Sequence, residues 1–244
     1  MKKSLLALAI FTLLAGCAKP PIIPQDEVKS EINQTEKAVE ITPAPTPAEK
    51  VESAEPGTPV VLSDSDLKDM NIFFSNFSEA FFREYTEKTT DEEIVLFAMC
   101  HNRVNYYDRW SYEDSYEVID ATHISNTIDR FFDIKIQFKS TNNYEFKNNK
   151  FYVPAASGEQ YLGFSQVESI MKNGDILVVR LIDFQYDNSD DLHGDFDKKA
   201  YEPMKNWSAN LSKRCTRGDT ATAAVKTANI NGKNTYQLLS LRKD

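Results

Sequence analysis

The chain has 244 residues, with 37 acidic and 28 basic side chains and a formal net charge of −9. It contains no Lys/Arg block, so a nucleic-acid-binding face is not expected. Its 8 glycines are too few for phosphate-cradling loops, collagen-like repeats or glycine-rich linkers.

Met1-Lys2-Lys3 is a short positive region. Ser4 to Leu14, SLLALAIFTLL, is apolar, and Ala15-Gly16-Cys17 follows. The run is shorter than the roughly 20 residues a membrane-spanning helix needs, and its layout is that of a secretory signal. Leu14-Ala15-Gly16-Cys17 resembles the lipobox of bacterial lipoproteins at all four positions. The resemblance implies removal of residues 1–16, a diacylglyceryl group on the Cys17 sulfur, and acylation of the new amino group, commonly by palmitate. Several acyl chains would hold the protein on a membrane, since each buried CH₂ contributes about 0.8 kcal/mol. In Gram-negative members of this class, an Asp after the cysteine tends to keep the protein at the inner membrane. Here that position is Ala18. In a Gram-negative envelope the resemblance therefore implies the outer membrane, with the protein facing the periplasm or the cell surface.

Residues 17–62 read as a lipidated cysteine followed by a tether. KPPIIP, ITPAPTPAEK and AEPGTP supply prolines, glutamates are frequent, and no aromatic residue occurs. Such a segment cannot bury enough apolar surface to offset its ordering, so a disordered, semi-extended spacer is expected. Residues 63–244 have globular composition, remain acidic, and fit one domain.

The first half of that domain predicts helices. Leu67, Met70, Phe73, Phe74, Phe77, Phe81 and Phe82 recur near helical spacing, with Ser63 or Ser65 as the cap. Thr90-Asp91-Glu92-Glu93 opens a second helix carrying Ile94, Phe97, Ala98 and Val104. DATHISNTIDRFFDI groups Ile124, Ile128, Phe131 and Phe132 in a third. The second half predicts strands. DIKIQFK alternates Ile134, Ile136 and Phe138, and KNNK separates two aromatic-rich runs. Asn173-Gly174 and Asn231-Gly232 mark two hairpins. Between them runs a long loop with a short helix near Pro203 to Leu211. Helices followed by strands predict an α+β fold, with the N-terminal helices on one face of an antiparallel, curved sheet. That order resembles a cystatin-like or NTF2-like cone. The domain also resembles globular domains of exported bacterial proteins, through FFSNFSEAFF near its start and TYQLLSL in its last strand.

Few residues carry chemistry. Cys100 and Cys215 remain once Cys17 is assigned to lipid, and an exported chain with two such cysteines predicts a disulfide between them; two unpaired thiols are the alternative. His101, His123 and His193 are scattered, with no HExxH, CxxC or His-x-His spacing, so no transition-metal site or cofactor is expected. Asp187, Asp190, Asp191, Asp195 and Asp197 could offer oxygen ligands to calcium. They lack the glycine and terminal glutamate of an EF-hand, and a solvated hairpin loop is the reading preferred for them. Tyr106, Tyr107, Arg109, Trp110, Tyr112 and Tyr116 concentrate flat rings beside polar groups, as sugar- or peptide-binding surfaces do. The same rings could instead close the core at a helix end. No GxSxG, Walker A or GxGxxG is present. The sequence thus predicts a lipid-anchored envelope protein that binds a protein, peptide or glycan. The alternatives are an envelope enzyme built around His101 or His123 with an Asp, and a structural lipoprotein without a small-molecule site.

Overall fold

A computed structural model of the chain describes residues 57–155, 163–187, 196–230 and 232–244. The expected lipidation site Cys17 and most of the tether lie outside these residues. The fold is α+β, as the order of helices and strands implied. Its strands form two antiparallel sheets rather than one meander.

The first helix, α1, runs Asp64–Glu79, and Ser63 caps it by accepting from the Asp66 backbone N–H. It ends before Phe81, which adopts φ +54° and is exposed, so Phe81 leaves the expected stripe. The second helix, α2, runs Asp91–Asn105 and starts with the expected box: Thr90 and Glu93 each bond the other's backbone N–H. The third, α3, is Ala121–Phe131, capped by Asp120. Phe73, Phe77, Phe82, Phe97, Phe131 and Phe132 interlock, with most ring pairs edge to face, and Phe77 touches all of the other five rings.

The larger sheet has five strands in the order β1-β6-β7-β8-β9. These are β1 (Thr58–Pro59), β6 (Gly163–Asn173), β7 (Ile176–Tyr186), β8 (Cys215–Ile230) and β9 (Lys233–Lys243). The folded unit therefore begins before Ser63: Thr58 and Pro59 pair with Lys172 and Met171, and Val60 N–H donates to the Ile170 carbonyl. In the β6–β7 hairpin, Asn173 pairs with Ile176, so Gly174 (φ +59°) takes the first loop position and the turn sits one residue past the expected one. β8 starts at Cys215, inside the region expected to be a loop. Successive strand residues point to opposite faces, so Leu181 and Ile182 serve different cores. Leu177, Val179 and Leu181 join the helices. Ile182, Phe184 and Tyr186 join Phe164, Ala200 and Leu211 under the 196–214 segment. That segment holds the expected short helix, α4, at Ala209–Arg214.

The smaller sheet has four strands in the order β2-β3-β5-β4. β2 is Trp110–Glu113, β3 Tyr116–Asp120, β4 Glu145–Lys147 and β5 Lys150–Pro154. The KNNK turn is as expected, with Asn148 and Asn149 at φ +50° and +60°, the geometry of a type I′ loop. The β2–β3 hairpin falls where a helix end was expected. DIKIQFK is not a ladder strand. Its alternation is real, since Ile134, Ile136 and Phe138 all pack on the core, but no neighbouring strand pairs with residues 134–139.

Replacing Phe77 by Ala removes the ring at the centre of the cluster. An unfolding free-energy loss of about 3–5 kcal/mol is expected. Urea denaturation checks it, read as a lower midpoint at unchanged m.

Candidate functional site

The disulfide expected between Cys100 and Cys215 is absent, and both thiols are free. Cys100 lies within α2, beside Leu96 and Phe97, in a groove walled by Ala80, Phe81 and Phe82. Cys215 opens β8 opposite Tyr186 and packs on the second core. The two occupy different packing environments. Burial pushes the Cys100 thiol up and the Cys215 thiol up to about 11, so neither is a thiolate at neutral pH.

Of the acidic loop, Asp190, Asp191 and Asp195 lie outside the described residues. Asp187 is exposed, and Asp197 accepts from the Lys199 backbone N–H at 2.9 Å, capping a short 3₁₀ turn. Among the described residues no group of three or more His, Cys, Asp or Glu is placed to hold a metal ion.

His101 is buried between the Phe97, Phe131 and Tyr106 rings. Burial, aided by the charges of Arg130 and Arg109, lowers its pKa to about 3, so its imidazole is neutral. Asn105 Nδ2 lies 3.2 Å from its Nδ1. His123 neighbours Asp120, but that carboxylate accepts from the Thr122 N–H as the cap of α3. A cavity of about 20 Å³, room for one water, lies among Ser78, Arg83, Ser165 and Asp183. Both serine hydroxyls lie within hydrogen-bond reach of Asp183 Oδ1, at 3.0 and 2.8 Å, and Arg83 pairs with its other oxygen. No histidine lines this cavity.

The aromatic segment is divided rather than gathered. Tyr112 pairs with Glu117, and Trp110 with Ile119, so these four share one face of the hairpin. Tyr116 lies on the other face, 40% exposed, edge-on to Tyr152. Tyr106 stacks under Arg109, 3.7 Å from the guanidinium carbon to the ring centroid. Arg109 in turn donates to Asn102 Oδ1 at 2.9 Å. These two residues therefore close the end of α2. Trp110 is only 9% exposed, covered by Arg103 at 5.2 Å. Its indole N–H is buried with no acceptor among the described residues.

Tyr107 and Tyr112 remain at the surface, 54% and 60% exposed. Their hydroxyls lie 2.7 Å apart, and Tyr112 donates to Glu117 Oε1 at 2.9 Å. The bond to Tyr107 raises the Tyr112 pKa, so the phenol stays protonated at neutral pH. Glu117 is buried and its other oxygen pairs with Arg103. Arg103 and Glu117 are the residues the sequence reading missed. The available signal was a lone carboxylate in the apolar run Tyr116-Glu117-Val118-Ile119. Comparison with protein-family models, curated protein sequences and solved structures finds no match to this chain.

His101 makes a pH prediction. Its folded pKa is depressed from 6.5, so the unfolded chain binds the extra proton between about 6.5 and 3. Stability is then complete above that window and falls as pH drops through it, by about 1.4 kcal/mol per pH unit for one proton. In His101→Phe, denaturation followed from neutral to acid pH should lose this slope relative to the natural chain.

Proposed function

We propose that the chain is a lipid-anchored cell-envelope protein whose folded domain binds a protein, peptide or glycan partner through the Tyr107–Tyr112 face. One observation carries this reading: two exposed rings are held by a hydrogen-bond chain that ends on a buried, arginine-paired carboxylate. Rings held this way lose little freedom on binding, and each offers a flat apolar face with a polar rim. The Leu14-Ala15-Gly16-Cys17 resemblance supports attachment to a membrane, and the proline-rich stretch after it supports a spacer. Among the described residues no helix is long and apolar enough to cross a membrane. No observation favours the enzyme reading, because His101 is packed among rings and the Asp183 cavity holds no histidine.

Crosslinking the full chain in its native envelope tests both halves. The species captured by the natural protein should fall severalfold with Tyr107→Ala plus Tyr112→Ala; unchanged capture overturns the binding face. Cys17→Ser should lose palmitate labelling and leave the membrane fraction; a variant that stays there and still labels overturns the anchor.

A further inference from the structure

The sheet edges differ in how they are closed. β1 is two residues long and includes Pro59, which has no N–H to offer. Beyond β1, the β6 edge is covered by α1: Ser165 and Val167 N–H donate to Ser75 Oγ and Asn71 Oδ1, at 3.0 and 2.8 Å. On β9, Leu241 exchanges two backbone bonds with Tyr85. On β4, Phe146 N–H donates to Ser140 Oγ at 2.9 Å.

β2 lacks these devices at Tyr112, and its one covered outward group among the described residues is the Trp110 N–H. Its sequence, Trp110-Ser111-Tyr112-Glu113, contains no Pro or Lys, and its pairing to β3 has no bulge. Glu113 and Tyr116 flank a two-residue loop and pair directly. Alternation of the ladder then turns the N–H and C=O of Tyr112 away from β3. The Trp110 N–H points away as well, and the Tyr107 carbonyl takes it. The Tyr112 N–H and C=O have no backbone partner among the described residues.

The charge at this edge is one-sided. Asp108 and Asp114 are exposed and in no ion pair among the described residues. Of the nearby cations, Arg103 is paired with Glu117, Lys150 with Glu113, and Arg109 lies on Tyr106. The net charge of −9 also opposes pairing with a second copy of this chain.

We propose that the β2 edge accepts an extended peptide rich in basic side chains, which adds a strand beside Tyr112 while its flanking residues lie against the Tyr107 and Tyr112 rings. The inference rests on that face being the binding surface. Main-chain bonds would supply affinity, and Asp108 and Asp114 would select for positive charge.

The test is fluorescence anisotropy on the full chain in detergent. The probe is a labelled, end-blocked heptapeptide of alternating Lys and Val. It should bind, and N-methylation of its valines or of its lysines should weaken binding about tenfold in at least one of the two peptides. A Glu–Val peptide should not bind. Asp108→Asn with Asp114→Asn should weaken the Lys–Val peptide several-fold; Asn tolerates the φ of +54° at position 114. No binding of the Lys–Val peptide, undiminished affinity of both N-methylated peptides, equal affinity for the Glu–Val peptide, or no effect of the Asn pair overturns the inference. If the Lys–Val peptide fails but an N-acetylglucosamine oligomer binds and is lost with Tyr107→Ala plus Tyr112→Ala, the peptide inference falls and the binding face stands. If neither ligand binds and the two Ala substitutions leave capture in the envelope unchanged, both fall.

Discussion

Everything that could recognise a partner hangs from the phenylalanine cluster between α1, α2 and α3. Phe77 on α1 stacks on Phe97 of α2 and meets Phe131 of α3 edge-on. Phe97 and Phe131 then enclose His101, one turn further along α2. Asn102 continues the contact by donating to Thr127 of α3 at 2.7 Å. The C-terminal turn of α2 is thus fixed from two sides. Arg103 is aimed from that turn toward Glu117, and Arg109, in the 3₁₀ turn Tyr107–Arg109 that follows, donates back to Asn102. A large apolar cluster positions a small polar one, and the polar one positions two exposed rings.

The Arg103–Glu117 pair is the hinge of this arrangement. Burying a carboxylate is unfavourable unless its lone pairs are met, and an ion pair of this kind contributes little net stability. Glu117 faces the Arg103 charge with one oxygen and accepts from Tyr112 with the other. Its value is geometric. Removing either partner would leave a charge stranded inside the protein, so the β2–β3 hairpin has one favourable seating against α2. The same bond keeps Tyr112 from rotating freely, although its ring lies largely in solvent.

Local signals in the sequence translated well where one residue type has one physical role. The Thr90–Glu93 box, the Asn148–Asn149 turn and the α3 stripe needed no tertiary information. Pairing was less legible. Alternation in DIKIQFK reports that one side is buried, not that a neighbouring strand exists, and here the buried side rests on side chains alone. The β2–β3 hairpin was hidden because its loop, Asp114-Ser115, lacks glycine, although Asp114 takes a left-handed conformation. That omission propagated into the site. Composition found the aromatic segment, but the register of an unseen hairpin decides which rings share a face. It sends Tyr116 to one side and Tyr112 to the other, where Trp110 lies buried on the same face beneath Arg103. The cysteines failed for a related reason. A count of two invites pairing, yet only packing shows that Cys100 belongs to the α2 groove and Cys215 to the core beneath α4.

The treatment of edges connects the fold to its proposed use. A sheet edge with free N–H and C=O groups promotes association, and this chain closes its other edges with means already present in the sequence: a proline, a serine, a bridge, and an asparagine–serine pair on α1. At β2 the corresponding positions are a serine and a tyrosine whose side chains bond within the hairpin, to the Val118 carbonyl and to Glu117. Neither reaches back to cover its own strand's outer edge. The interactions that hold the tyrosine rings in place are therefore the ones that leave the adjacent backbone open. An aromatic surface and an unclosed edge at one strand follow from a single register, and each strengthens the case that the other is used for binding.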